Sequence, residues 1–321
     1  YRDRKGALRA KFAADTFAVA ATRPVAVARD DRGAFAARSG HACCSLNGRV
    51  YVFGGIDAAG RATSAVHACD VADDRTTVRW TSVEATGAAP DLAPGASLLA
   101  AGPTTLLAVG ADATSGSVAV SALDLDARAW TRLPPPAAVT DVARAHVAVL
   151  EIEREPHAVC VCVGGATNFG AAVSRAAVYA APLAGLVAGR AGWTNADEAC
   201  RPGRDFCKAL RADAEGVACC AVGNRLVLCG GRTPRGPIPL SDALGLRVRR
   251  TAFGLEAEWE SWGSPNARPD LDRSHHAVAA LDDATLICAG GLDASGKTRG
   301  DAVALRYRRP PALLDAAGAC R

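Results

Sequence analysis

The chain has 321 residues, 50% hydrophobic and 22% charged, with a formal net charge of +4. That length suits two average domains or one large all-β domain, and that apolar content fills a sizeable core. A charge of +4 is too weak to imply nucleic acid without a clustered basic patch. The best apolar run, residues 94–113, is broken by Pro103 and several glycines, so it does not read as a membrane span.

The first 35 residues form a basic segment. "YRDRKGALRAKF" carries five basic residues against one acidic. It reads as a solvated tail, a partner-binding arm or the remnant beside a removed targeting peptide. No methionine occurs in the chain, so the expectation is a processed or incomplete N-terminus. Within this segment "TFAVAATRPVAVAR" (16–29) has two β-like runs.

From residue 36 one unit recurs. It starts with an apolar strand, "HACCSL" (41–46), and the turn pair Asn47–Gly48. Asn-Gly between apolar runs signals a hairpin, because a type I′ turn needs positive φ at both central positions. The next strand ends in Gly54–Gly55, and a short polar residue, Asp57, lies two positions on. A third strand, "AVHACDV" (65–71), leads to Trp80. The second unit has "ASLLAA" (96–101), a single glycine Gly110 after Val109, Asp112, "VAVSALDL" (118–125) and Trp130. The third has "HVAVLEI" (146–152), Gly164–Gly165, Thr167, "AAVYAAPL" (176–183) and Trp193. The fourth has "GVACCAV" (216–222), Gly230–Gly231, Thr233, "DALGLRV" (242–248) and the pair Trp259/Trp262. The fifth has "HAVAAL" (276–281), Gly290–Gly291, Asp293 and "DAVALRY" (301–307), with no tryptophan after it. Intervals of 55 to 66 residues separate the second glycines.

Such a unit predicts a small antiparallel sheet that cannot cover its own faces. Set radially, each sheet buries its faces on its neighbours. Glycine then permits close backbone approach and a positive φ at the strand exit. Each tryptophan fills space between neighbouring sheets. The pattern resembles the kelch repeat over residues 36–308, most closely in "RSGHACCSLNGRVYVFGG" with Trp80 and in "RSHHAVAALDDATLICAGG". The resemblance implies an all-β, kelch-type β-propeller with five recognisable four-stranded antiparallel blades. Kelch propellers often close by taking a strand from the other terminus, and residues 16–29 are the candidate. If residues are missing upstream, six blades become reasonable. Residues 309–321 read as a C-terminal tail.

Twelve cysteines do not read as a disulfide framework. Cys43–Cys44, Cys160–Cys162 and Cys219–Cys220 sit in apolar strands, where adjacent side chains face opposite ways and free cysteine acts as a small hydrophobe. This favours a reducing compartment, cytoplasmic or an organelle interior. Cys200 and Cys207 are the candidates for an exception, a loop disulfide.

Fold does not give function, because kelch-like propellers include binding scaffolds, adaptor subunits and a few enzymes. A copper-radical oxidase site would need tyrosine ligands, and the chain has only Tyr1, Tyr51, Tyr179 and Tyr307. "DLDRSHH" offers Asp270, Asp272, His275 and His276, a set that suits iron, zinc or manganese. His41, His146 and His276 share one repeat position, however, so a repeated structural role explains them better. The Glu-x-x-x-Asp-x-x-x-His pattern of iron-using plant specifier proteins, a nucleophile elbow and a phosphate-binding loop are absent. The expectation is therefore no catalytic residue, no metal and no cofactor.

What remains is arginine in equivalent loops. Arg38–Ser39, Arg144 and Arg273–Ser274 precede first strands; Arg61, Arg232, Arg235 and Arg299 follow glycine pairs. Arginine makes bidentate contacts with carboxylates. The expectation is an arginine-lined mouth gripping an acidic segment of a protein partner, against the alternative that these arginines bond backbone carbonyls. The function read from the sequence is a non-catalytic interaction module, a subunit of a larger assembly. The alternative is a small-molecule or sugar-processing enzyme with its site in the mouth. The irregular insert, about 184–215, is a second candidate contact surface.

Overall fold

The computed structural model describes residues 18–27, 35–72, 77–134, 146–152, 155–162, 177–190, 193–195, 214–223, 225–240, 242–252, 254–263, 272–282 and 285–308. In chain order the strands are β1 Ala18–Val27, β2 Arg38–Ser39, β3 Ala42–Leu46, β4 Arg49–Phe53, β5 Ile56–Asp57, β6 Val66–Val71 and β7 Thr77–Val83. Then come β8 Ser97–Ala100, β9 Thr105–Ala111, β10 Val118–Asp124, β11 Ala129–Leu133, β12 His146–Ile152, β13 Glu155–Cys162 and β14 Ala177–Pro182. A short helix, α1 Leu183–Val187, follows, and then β15 Thr194–Asn195 and β16 Ala218–Val222. The last strands are β17 Arg225–Cys229, β18 Arg232–Thr233, β19 Gly236–Pro237, β20 Asp242–Thr251, β21 Gly254–Gly263, β22 Ala277–Asp282, β23 Thr285–Ala289 and β24 Ala302–Arg308.

Each repeat unit folds into an antiparallel sheet. Sheet 1 is β3-β4-β6-β7, sheet 2 β8-β9-β10-β11, sheet 3 β12-β13-β14-β15 and sheet 4 β16-β17-β20-β21. Sheet 5 has only β22-β23-β24 from its own repeat, and its fourth strand is β1. β1 runs antiparallel to β24 from Ala18↔Arg308 to Val25↔Ala302. Its last two residues then pair in parallel with Thr77 and Val78 of β7. One strand thus joins the last sheet to the first.

Strand alternation explains how both faces are covered. On β4, Val50 and Val52 face sheet 5, where they meet Ile287 and Ala289. Tyr51 and Phe53 face sheet 2, where they meet Leu106 and Ala108. On β9, Leu107 and Val109 face sheet 3. On β17, Leu226 and Leu228 face sheet 3, and Val227 and Cys229 face sheet 5. A strand buried on both sides must be apolar throughout, which is why these runs do not alternate with polar residues. The first strands pack in succession, β3 on β8, β8 on β12, β12 on β16 and β16 on β22, and β22 packs back on β3. This all-β arrangement fits a β-propeller.

The tryptophans serve the inter-sheet packing where they are described. Trp80 stacks on Phe35 with ring centroids 4.0 Å apart and packs between sheets 5 and 1. Trp130 meets Phe53 at 5.6 Å between sheets 1 and 2. Trp193 packs between sheets 2 and 3 but precedes a strand of only two residues. The side chains of Trp259 and Trp262 lie outside the described residues.

The turn at Asn47–Gly48 has φ of 52° and 76°, as the type I′ expectation requires. Adjacent cysteines split between interfaces: Cys43 faces sheet 5, Cys44 sheet 2, Cys219 sheet 3 and Cys220 sheet 5. All four are free thiols. Cys200, Cys207, Arg144, Gly164 and Gly165 lie outside the described residues. Among the described residues no helix is long and apolar enough to cross a membrane.

Candidate functional site

The glycine pairs build one end of the axis. Gly54, Gly230 and Gly290 have φ of 71°, 64° and 60°, and Gly55, Gly231 and Gly291 have φ of 93°, 94° and 90°. Each second glycine lies against the start of its own sheet. A Cβ on Gly55 would sit 2.8 Å from His41 Cβ, one on Gly231 2.8 Å from Val217 and one on Gly291 2.6 Å from His276 Cβ. Two first glycines receive a ring from the next sheet. A Cβ on Gly230 would sit 2.5 Å from His276 Cε1, and one on Gly290 2.7 Å from His41 Cε1. The second glycine also reaches the next sheet: Gly231 N–H donates to Arg273 O and Gly291 N–H to Arg38 O, both at 2.8 Å. The pair therefore welds neighbouring sheets through backbone that no side chain can obstruct.

Gly110 departs from this pattern. It lies inside β9, which runs on to Ala111, and pairs with Ala119. Glycine is needed there because a Cβ would meet Ala96 Cβ at 2.8 Å. Without a second glycine the strand does not break.

Just ahead of four of the five first strands, positive-φ residues form an arc around the axis: Gly40 (66°), Gly95 (92°), Gly216 (65°) and His275 (53°). They are joined by backbone bonds. Gly95 N–H donates to Gly40 O at 2.9 Å, Gly40 N–H to His275 O at 2.7 Å, and His275 N–H to Gly216 O at 2.7 Å. A left-handed backbone costs a non-glycine residue roughly 1–2 kcal/mol, so His275 holds a strained position that three other sheets fill with glycine. The arc surrounds a cavity of about 420 Å³ whose lining includes His41, His146, Glu215, His275 and His276. Four of the chain's six histidines converge there.

Residues 37–68 match the family model of the Kelch motif, a span running from the approach to β2 through the first glycine pair into β6. Residues 37–68 thus carry a kelch motif. No curated protein matches it.

Three of the cavity histidines are uncharged at neutral pH. Burial, helped by the nearby Arg38 charge and opposed by the Ala289 carbonyl as an acceptor, pushes His41 down to about 3. Burial, with Arg273 next in effect, takes His276 to about 3, and burial alone takes His146 to about 4. His67 falls to about 4 through burial and then Arg38. These rings are neutral when folded and titrate near 6.5 when unfolded. Between those values the unfolded chain binds more protons, so stability rises with pH there, by up to ~1.4 kcal/mol per pH unit for each such histidine. The expected result is a urea midpoint that is flat between about pH 7 and 8 and falls steeply from about pH 6.5 towards 4.5. His41→Asn and His146→Asn should each flatten that fall.

Of the nine loop residues proposed for a partner, Arg144 lies outside the described residues and the other eight divide into two groups. Arg38 is buried. Its guanidinium donates to Gly54 O at 3.3 Å and Ala36 O at 3.2 Å, meets His67 Nε2 at 3.2 Å and lies 4.7 Å over the Phe35 ring. Arg273 is its counterpart in sheet 5. It donates to Gly290 O at 3.1 Å and Asp301 O at 3.3 Å and pairs with Asp301 Oδ2 at 2.8 Å. Each satisfies the carbonyl of a first glycine, where the strand ladder has ended. Ser39 pairs with Ile56, and Ser274 bridges to Leu292. Arg38 and Arg273 thus bond backbone carbonyls, as the alternative reading of these arginines expects, while Ser39 and Ser274 take part in short backbone pairings. No described arginine lines the cavity.

Arg61, Arg232, Arg235 and Arg299 stand on the loops that follow the glycine pairs. The repeated polar residue two positions after each pair explains how those loops hold their shape. Asp57 Oδ1 accepts from the N–H groups of Ala59 and Arg61 at 2.9 Å each. Asp112 Oδ1 accepts from Thr114 N–H and Ser115 N–H, and Asp293 Oδ1 from Ser295 N–H and Lys297 N–H. Thr233 Oγ1 accepts from Arg235 N–H. These bonds hold all three carboxyls below the usual carboxylate range. Arg61 pairs with Asp57 at 2.8 Å yet its side chain is 80% exposed. Arg232 holds Glu215, a cavity-lining residue, at 3.0 Å. Arg299 pairs with Asp301 at 3.2 Å. Burial alone would raise Asp301; the bonds from Arg299 and Arg273 outweigh it and bring that carboxyl down to about 2.

Proposed function

We propose that the five sheets are the blades of a five-bladed propeller clasped by β1. We propose further that it is a non-catalytic protein–protein interaction module, a subunit of a larger assembly. The kelch motif supports an interaction module in general. The observation that carries the specific reading is the loop face. The loops after the glycine pairs are locked by Asp57, Asp112, Thr233 and Asp293, so a partner meets a surface that loses little entropy on binding. Arg61, Arg232, Arg235 and Arg299 stand on that surface, and bidentate arginine suits an acidic segment of the partner. A reducing compartment, cytoplasmic or an organelle interior, suits the buried thiols.

The test uses tagged chains expressed in the source cell. Arg61→Glu with Arg235→Glu reverses two exposed charges and leaves the glycine welds untouched. The expected result is an unchanged unfolding midpoint with recovery of the co-isolated partner reduced at least about tenfold. Equal recovery of the partner by the double variant contradicts the acidic-segment reading.

A second reading is favoured by the cavity itself, whose size lies within the usual range of small-molecule sites and whose wall carries four histidines and Glu215. Under that reading the protein is a small-molecule or sugar-processing enzyme. His275→Gly would then abolish turnover or ligand binding while leaving partner recovery unchanged.

A further inference from the structure

Beside the cavity, the interface between sheets 4 and 5 holds a side-chain cluster that joins the cavity-lining His276 to two cysteines outside the lining, which neither reading uses. Cys229, His276 and Cys288 are all buried, and their ligand atoms lie within 4.8 Å of one another. His276 Nε2 is 3.8 Å from Cys229 Sγ. The three come from different strands. Cys229 ends β17 just before Gly230, Cys288 lies on β23, and His276 immediately precedes β22. Strand alternation turns both sulfurs into the same interface, where Val227, Leu240, Val278, Leu286 and Val303 surround them.

The fifth-to-first interface serves as an internal comparison. His41 reaches across to the glycine pair of sheet 5 as His276 reaches across to that of sheet 4. The residue before the glycine pair is Ala289 in one case and Cys229 in the other. The histidine position is thus explained by the repeat, but two thiols around one of its rings are not.

We infer that Cys229, Cys288 and His276 bind one thiophilic d10 ion, Zn(II) or Cu(I), as a clasp between sheets 4 and 5. Thiolate and imidazole are the donors those ions prefer. Metal–sulfur bonds near 2.3 Å and metal–nitrogen bonds near 2.0 Å set ligand atoms about 3.5–4 Å apart, close to the observed 3.8 Å. The apolar surround excludes the water that a catalytic ion needs, so the role is structural. Binding converts two thiols to thiolates: two S–H bonds break, two metal–sulfur bonds form and two protons leave, with no change of oxidation state.

The experiment uses the whole chain, reduced and treated with chelator. It is titrated with Cu(I) against bathocuproine disulfonate and, separately, with Zn(II) against a chromogenic chelator. The expected result with one of these ions is one equivalent held per chain, about two protons released per ion and a raised unfolding midpoint. Cys229→Ser with Cys288→Ser, and separately His276→Asn, should weaken binding at least about a hundredfold. His41→Asn should leave binding unchanged. X-ray absorption on the loaded wild-type chain should report two sulfur and one nitrogen neighbours, a readout that needs no variant to fold. Failure to hold either ion, equal affinity in the double serine variant, or a shell without two sulfurs overturns the inference.

Discussion

Deletion of residues 18–27 is expected to leave the chain largely unfolded or aggregated. β1 supplies seven backbone pairings to β24 and two more to β7. A net ~0.5–1.5 kcal/mol for each hydrogen bond lost is set against a total stability of roughly 5–15 kcal/mol. Removing β1 also leaves β24 as a bare edge strand, a template for association with other chains. Circular dichroism, urea denaturation and light scattering on the truncated chain read the result. Adding a peptide spanning residues 16–29 in trans should restore folding in part. A truncated chain that stays monomeric with an unchanged urea midpoint would show that β1 is no clasp.

Gly291→Ala is the point substitution with the largest expected cost. Its φ of 90° already disfavours any Cβ. The new carbon would sit 2.6 Å from His276 Cβ and 2.7 Å from Ser274 O, contacts that include backbone and cannot yield cheaply. Its N–H is also the donor to Arg38 O that joins sheet 5 to sheet 1. Left-handed strain of ~1–2 kcal/mol plus this overlap places the loss above ~4 kcal/mol, the range of disrupted cores. Gly296→Ala is the matched control, since Gly296 has φ of 81° but nothing within 4 Å of the added carbon. It should cost only the backbone strain, about 1 kcal/mol. Equal urea midpoints for the two variants would mean that conformation alone, and not the inter-sheet weld, explains the glycine pair.

Much of the fold was legible because each repeat unit poses the same physical problem. Strands buried on both faces read as continuous apolar runs, and β12 and β14 fall almost where the runs at 146–152 and 176–183 put them. The turn at Asn47–Gly48 was legible because it is local chemistry. The expectation that a strand within 16–29 completes the last sheet followed from that repeat lacking a tryptophan strand of its own, and β1, Ala18–Val27, is that strand. Other features were less visible. Arg38 and Arg273 look like loop residues in sequence, and only the fold shows that the carbonyls of Gly54 and Gly290 need their donors. The aspartates after the glycine pairs were visible as a spacing, but their bonding to loop N–H groups was not. The grouping of Cys229 with Cys288 was illegible, because the two occupy different repeat positions and meet only where neighbouring sheets face each other. His275 could be aligned with Gly40, yet nothing in the sequence marks it as a left-handed residue facing a cavity.

The native mass of the untagged chain, isolated gently from its own source with all accompanying chains identified, bears most directly on the central claim. The account predicts a stable assembly well above the 32.8 kDa of the chain, containing a protein with an acidic segment that crosslinks to the loops carrying Arg61 and Arg235. A homogeneous 32.8 kDa monomer with no accompanying protein would contradict it and turn attention to the histidine-lined cavity.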